Sequence, residues 1–144
     1  MNNSKIALGD ELRKLIEARI KRTLSGIEET LQQVLENQTT SLEDLKRDIR
    51  GLEDSFNLLS QKWNLEMLYI LFLKSTSSFN ELKKILGVNS RTLSDKLKNL
   101  RRYEYIERTV KTGPPLRVEY CLTTKGKNTV LLALPLLYYS STTQ

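Results

Sequence analysis

The chain has 144 residues, of which 39% are hydrophobic and 28% are charged, a balance typical of a soluble globular protein. No run approaches the roughly 20 apolar residues that a membrane span needs. With no apolar signal core at the start, we expect a cytoplasmic protein. The single cysteine excludes an internal disulfide. The chain has no histidine, which is the commonest general base and metal ligand in proteins. Because a glycine-rich phosphate loop and metal-ligand spacings are also missing, we expect neither an enzyme nor a bound metal or cofactor.

The net charge of +6 is unevenly distributed along the chain. Residues 1–60 carry nine Lys/Arg and eleven Asp/Glu, whereas residues 61–144 carry fourteen and six. A basic domain joined to a nearly neutral one indicates a module that binds a polyanion, attached to a structural arm.

The arm, residues 1–60, has the pattern of two helices. From Ser4 to Asn37 apolar residues recur every three or four positions, which predicts a long helix. Asn37–Thr40 interrupts the pattern, and Thr40 with Glu43 has the form of a capping box that starts a second helix. Apolar residues then alternate in steps of three and four, the spacing of a coiled-coil seam. This seam consists of Leu42, Leu45, Ile49, Leu52, Phe56 and Leu59.

Two arrangements of the arm fit this pattern. It is either one long, bent coiled coil between two chains, or an antiparallel pair of helices, 4–37 and 40–60, that packs on the rest. Because the arm is too long for the small domain that follows, and because heptad seams usually join chains, we expect it to form a homodimer. Ordinary packing within one chain is the alternative, and the arm is also a possible contact for a second protein.

The basic domain, residues 61–126, begins with three predicted helices. Lys62-Trp63 opens a core helix that ends near Leu73, and a polar connection over Ser75–Ser78 follows. A short helix spans Phe79 to Leu86, with Leu82, Ile85 and Leu86 predicted to face inward, and Gly87 fits a helix stop. A third helix comes after this short turn, so the arrangement is that of a helix-turn-helix.

The third helix, Asn89–Arg102, is the candidate recognition helix. Leu93, Leu97 and Leu100 share one face and are predicted to pack inward. Asn89 or Ser90 can cap its start. The opposite face carries polar and positive side chains that suit base edges and phosphates in a major groove, although a solvated amphipathic helix would look similar. The candidates on this helix are Ser90, Arg91, Thr92, Ser94, Asp95, Lys98 and Arg102.

A β-hairpin and a last helix complete the predicted fold. Residues 105–111 and 117–122 alternate apolar and polar positions, and Thr112–Pro115 marks the turn. Lys111 and Arg117 near the tip are candidates for contact with flanking phosphates or the minor groove; a hairpin that only covers the core is the alternative. Residues 127–144 form an apolar helix that Pro135 should kink or end, and we expect a second protomer to cover it.

The segment from Leu58 to Gly126 resembles the HxlR-type winged helix-turn-helix regulators. The resemblance rests on LLSQKWNLEMLYIL, FNELKKILGVNSRTLSDKLKNL and PPLRVEYCLTTKG, which form a specific set together although each is weak alone. It implies a dimeric DNA-binding transcription regulator, mainly α-helical with a small hairpin wing. By the family pattern Arg91, Thr92, Ser94, Asp95 and Lys98 would face the groove and Arg117 would lie on the wing.

The chain departs from the family pattern before the Lys-Trp pair. Redox-sensing members have a cysteine about a dozen positions earlier, where this chain has Ile49-Arg50-Gly51-Leu52. Cys121 lies in the hairpin instead, which favours a bystander role.

We therefore expect a homodimeric regulator that binds double-stranded DNA at an inverted repeat and is associated with the nucleoid. Two alternatives are an architectural or segregation-type DNA-binding protein with low sequence specificity, and a winged-helix protein-interaction module.

Overall fold

Six helices and three short strands make up the part of the chain that the computed structural model describes, residues 10–37 and 41–142. The helices are α1 (Asp10–Asn37), α2 (Leu42–Ser60), α3 (Asn64–Lys74), α4 (Phe79–Leu86), α5 (Ser90–Arg102) and α6 (Thr124–Thr142). The strands are β1 (Ser77–Ser78), β2 (Ile106–Lys111) and β3 (Arg117–Leu122). This is the mainly α-helical fold with a hairpin wing that the sequence predicts. The chain divides into two compact units at Ile49/Arg50, within the continuous helix α2.

Helix α1 confirms the long N-terminal helix over its described residues. It runs for 28 residues, or about 42 Å at the usual rise per residue; the predicted start at Ser4 lies outside the described residues. Most of its apolar stripe is exposed, from Leu15 at 63% to Leu35 at 57%, while Ile16 and Ile20 are half-buried.

Helix α2 begins with a different cap from the predicted one. Ser41, not Thr40, precedes the first helical residue, and its Oγ accepts the backbone N–H of Asp44 at 3.2 Å and donates to the Asp44 carboxylate at 2.9 Å. Thr40 lies outside the described residues. The Ser41–Asp44 pair satisfies one of the free N–H groups of the first turn and places a negative charge at the positive end of the helix dipole.

The connection between α2 and α3 gives the Lys62-Trp63 pair a structural role. Leu58 enters the core, and the buried Asn64 donates its Nδ2 hydrogen to the Leu58 carbonyl oxygen at 2.7 Å. Trp63 bridges the two helices with a left-handed backbone, φ 78°. The Lys62 ammonium lies 4.8 Å from the centre of the Trp63 ring, a cation–π contact that covers one face of the indole.

One apolar core is built from α3, α4, α5, the hairpin and α6. Its buried residues are Leu58, Met67, Leu68, Leu71, Leu82, Leu86, Leu93, Leu97, Leu100, Tyr105, Ile106, Tyr120 and Val130. The predicted inward position of Ile85 is wrong, because this side chain is 49% exposed. Leu73, near the end of the predicted core helix, is 63% exposed. Met67 in the same helix is fully buried.

The hairpin belongs to a three-stranded antiparallel sheet of order β1-β3-β2. Ser77 and Ser78, predicted to be connection only, pair with Tyr120 and Glu119. Strand β2 begins at Ile106 rather than at Tyr105. The predicted half-buried alternation of β2 is also wrong beyond Ile106, because residues 107–111 are all exposed. Strand β3 does not show the predicted alternation either: Tyr120 is buried, but Glu119 and Cys121 are half-buried like Val118 and Leu122.

Helix α6 is fixed to the turn after α5. Thr123 caps it, with its Oγ1 accepting the N–H of Gly126 at 3.0 Å and donating to the Glu104 carbonyl oxygen at 2.6 Å. A Cβ on Gly126 would collide with the carbonyl oxygen of Tyr105, so this position requires glycine. Pro135 does not end the helix, which continues to Thr142. Among residues 10–37 and 41–142 no helix has both the length and the apolarity to cross a membrane.

Gly126→Ala should destabilise the domain, because the new methyl group meets backbone atoms that cannot move aside. We expect a loss of about 1–3 kcal/mol in the free energy of unfolding, the range for overpacked sites. Gly51→Ala is the matched control: no atom lies within 4 Å of its Cβ, and alanine should stabilise α2 by up to about 1 kcal/mol. Urea unfolding followed by circular dichroism measures both, and equal effects would contradict the close packing.

Candidate nucleic-acid interface

The orientation of α5 is fixed at its start and along its inner face. Asn89 caps the helix, and its Oδ1 accepts the N–H of Thr92 at 2.8 Å. Leu93, Leu97 and Leu100 are at most 2% exposed. Because these three side chains are held in the core, the opposite face of α5 lies outward, as the sequence predicts.

The candidate residues of α5 divide into an exposed stripe and a half-buried flank. Thr92 and Ser94 are half-buried. Asp95 lies among the cations, and within the described part of the chain no ion pair joins it to Arg91. The exposed candidates are Ser90, Arg91, Asp95, Lys98 and Arg102. Spacings of four, three and four residues put the last four of these in one line along the helix.

The two wing candidates lie directly opposite each other at the open end of the hairpin. Lys111 pairs with Arg117 in the β2–β3 register, and both are exposed. The Lys111 ammonium is 3.2 Å from the Glu119 carboxylate, an exposed contact of small energy. Arg117 is therefore the stronger candidate cation near the tip.

A basic cleft of about 890 Å³ lies between the C-terminal part of α5, the start of β2 and the start of α6. Lys98 and Arg102 line it together with three cations that the sequence analysis did not single out, Arg101, Arg108 and Lys125. Two carboxylates, Glu104 and Glu107, also line it. The cations exceed the acids by three, so the cleft attracts anions.

The turn after α5 brings these cations together. Tyr105 N–H bonds the Leu100 carbonyl oxygen at 2.9 Å and Glu104 N–H bonds that of Arg101 at 3.0 Å, the pattern of a Schellman motif. Glu104 takes the left-handed position, with φ 64°.

Lys125, at the start of α6, contacts the same turn. Its ammonium donates to the Tyr103 carbonyl oxygen at 2.8 Å and lies 4.5 Å from the centre of the Tyr105 ring. Burial raises the pKa of Tyr105.

Arg108 could have been found from the strand register. It lies opposite Tyr120, so both side chains leave the same face of the hairpin, the face toward the core. Arg101 and Lys125 reach the cleft only through the tertiary fold, and nothing in their local sequence indicates it.

Cys121 lies in β3 opposite Glu107 and is half-buried. Burial, followed by the carboxylates of Glu107 and Glu119, raises the pKa of this thiol. A raised pKa disfavours the reactive thiolate, in agreement with a bystander role. Within the described residues no group of His, Cys, Asp and Glu is arranged to hold a metal ion.

A helix-turn-helix with a capped, outward-facing basic helix and an adjacent hairpin defines a winged helix-turn-helix protein, the class of DNA-binding transcription regulators. The HxlR-like helix-turn-helix family model matches residues 58–138. The chain therefore belongs to the HxlR-like helix-turn-helix family.

Curated relatives and solved structures agree with this family. The chain is 32% identical over 76 residues to the HTH-type transcriptional regulator YodB of Bacillus subtilis, covering 52% of this chain and 67% of the relative. It is 32% identical over 77 residues to the regulator YdzF of the same organism, covering 53% and 71%.

Among solved structures, the reduced form of YodB superposes with a TM-score of 0.60 at 26% identity, covering 65% of this chain and 91% of that chain. A MarR-family regulator from Enterococcus faecalis superposes with a TM-score of 0.56 at 27% identity, covering 72% and 89%.

The environment of Cys121 predicts slow thiol chemistry. Because its pKa is raised, the thiolate fraction at neutral pH is smaller than for a free thiol, and the rate of alkylation by iodoacetamide should rise at a higher pH than it does for a free thiol. Glu107→Gln removes one carboxylate and should shift the profile to lower pH, whereas Glu28→Gln in α1 should leave it unchanged. A Cys121 that reacts as fast as a free thiol at pH 7 would contradict this assignment.

Proposed function

We propose that this protein is a homodimeric transcription regulator that reads an inverted-repeat DNA site through α5 and the wing. The observation that supports it most is that the exposed stripe of α5 and the basic cleft share Lys98 and Arg102, so their positive charges lie side by side. Residues 61–126 are the proposed DNA-binding unit, and residues 1–60 and 127–144 the proposed dimer contacts. As a DNA-binding regulator it would work in the cytoplasm, at the nucleoid.

The two parts of this surface suit different parts of a duplex. The stripe of α5 is the part that would enter the major groove, where an arginine donates two hydrogen bonds to guanine and an aspartate accepts from a cytosine amine. Ser90, Thr92 and Ser94 beside the stripe can contact phosphates or bases. Contacts of this kind determine which sequence is bound.

The basic cleft suits the phosphate backbone rather than the bases. Its cations come from three elements, and none of the three side chains Lys98, Arg101 and Arg108 forms an ion pair within the described residues. Arg117 and Lys111 would extend this contact from the wing to a neighbouring phosphate or the minor groove. Phosphate contacts fix the position of the protein on DNA and make binding depend on salt.

Dimerisation is supported by the apolar surface that the described chain leaves uncovered. On α6, Leu132 is 71% exposed and Leu136 is 58% exposed, and the seam of α2 is exposed as well. Single-chain proteins rarely leave such continuous apolar surfaces in contact with water. A two-fold dimer would present two α5 helices to successive major grooves, about 34 Å apart or a multiple of that.

Mutations can test whether α5 determines sequence specificity while the basic cleft contacts phosphates. Arg91→Ala should cost about 1–3 kcal/mol of binding free energy on the preferred site and relax specificity at one position. Arg108→Ala should weaken binding to all sequences alike and reduce the slope of log affinity against log salt by about one. Arg22→Ala in α1, which removes the same charge, is the control and should change neither quantity.

Fluorescence anisotropy on the selected site and on random duplex, each at several salt concentrations, gives these numbers. The proposal is wrong if the purified protein does not bind duplex DNA at low ionic strength; that result would favour the protein-interaction module instead. A ratio of specific to random affinity near one would favour the architectural DNA-binding alternative.

A further inference from the structure

The seam of α2 is an apolar surface that has no cover along most of its length. Its residues from Leu42 to Phe56 are between 37% and 79% exposed. Only at the C-terminal end does Leu59 pack, partly buried, against the core. All six positions lie on α2, a helix of 19 residues. Most of this seam precedes residue 58, where the family match begins.

We propose that α2 pairs in antiparallel orientation with α2 of a second copy of this chain, about a two-fold axis between Arg50 and Gly51. The inference rests on the homodimer proposed above and specifies one of its surfaces and the direction of the two helices.

The order of apolar residues allows this pairing without a gap. In antiparallel coiled coils each a position faces a d position of the other helix, and the seam alternates a and d from Leu42 to Leu59. One register then pairs every member. Ile49 faces Leu52 of the partner subunit, Leu45 faces Phe56 of the partner subunit, and the outermost layer is formed by Leu42 and Leu59. Each layer occurs twice by symmetry, which gives six layers with no unpaired residue.

A parallel pair would also align apolar residues, so the flanking charges decide the direction. Lys46 and Glu53 flank one side of the seam, and Asp48 and Ser55 flank the other. In the antiparallel register Lys46 faces Glu53 of the partner subunit, and by symmetry this attraction occurs twice. In a parallel pair Asp48 would face Glu53 of the partner subunit, which gives two repulsions instead.

The Lys46 side chain is free to make the intermolecular contact. It is 64% exposed, and its ammonium is 3.6 Å from Glu43 one turn earlier. An exposed pair of this kind is weak, so its loss costs little when the second helix approaches.

Charge reversal tests the direction in the full-length protein. Lys46→Glu and Glu53→Lys should each raise the dimer dissociation constant on the order of fivefold, because two attractions become repulsions. The double variant exchanges the charges and should restore wild-type affinity. A parallel pair gives the opposite sign for Glu53→Lys, which would then strengthen the dimer by pairing with Asp48. Asp54→Lys, the same change one residue away on the outer face of α2, is the control and should have no effect.

Disulfide trapping gives a second readout that does not depend on the tightness of the dimer. In a Cys121→Ser background, chains with Leu45→Cys mixed with chains with Phe56→Cys should form cross-linked dimers, whereas each alone should not. Self-linking of either single variant would overturn the antiparallel assignment. Circular dichroism confirms that each variant keeps its helices.

Sedimentation equilibrium of the wild-type protein separates this inference from the proposed function. A dimer with the parallel pattern of charge effects overturns the inference and leaves the homodimeric regulator intact. A monomer overturns both the inference and the homodimer, and would mean that α1 of the same chain or a different protein covers the seam. DNA binding, measured independently by anisotropy, decides whether the regulator itself stands.

Discussion

Burial of three leucines on α5 is the constraint on which the rest of the proposed DNA-binding surface depends. Leu93, Leu97 and Leu100 are removed from water, and each contributes roughly 1.5–3 kcal/mol when fully buried. Because an α-helix turns 100° per residue, fixing this face fixes the opposite one to within a fraction of a turn. Arg91 and Lys98 therefore project into solvent with little freedom in where their backbone lies. The same leucines thus stabilise the fold and position the side chains that are proposed to contact DNA.

The contacts between the turn after α5 and the start of α6 extend this rigid surface beyond one helix. Thr123, Lys125 and Gly126 hold the backbone of residues 103–105 by hydrogen bonds and close packing. The cleft between α5, β2 and α6 exists because this turn is held. The Leu-Thr-x-x-Gly part of the family resemblance consequently has a packing explanation: threonine caps α6, and glycine permits the backbones to approach.

Most of the fold could be predicted because its elements have strong local patterns, and the errors occur where tertiary contacts dominate. The periodicity of α5, the Asn89 cap and the Gly87 stop are local signals, and they are confirmed. Strand β1 has only two serines, and its pairing with β3 depends on the fold. Thr40 and Ser41 are both favourable N-cap residues, so the sequence alone did not distinguish them. The candidate residues of α5 and the wing followed from pattern and resemblance. Arg101 and Lys125 were missed because the cleft that they line forms only when α6 packs beside the end of α5.

The outer half of the hairpin differs physically from its base. Ile106 and Tyr120 anchor the base in the core, whereas residues 107–111 of β2 have both faces exposed. Segments with few buried contacts open at a small cost in free energy compared with the core. The outer half of the wing should therefore distort at a smaller cost in free energy than the buried core. In the proposed DNA complex, the tip of the wing would adjust to grooves of different width while α5 keeps its orientation, so the hairpin rather than the helix would absorb variation in DNA shape.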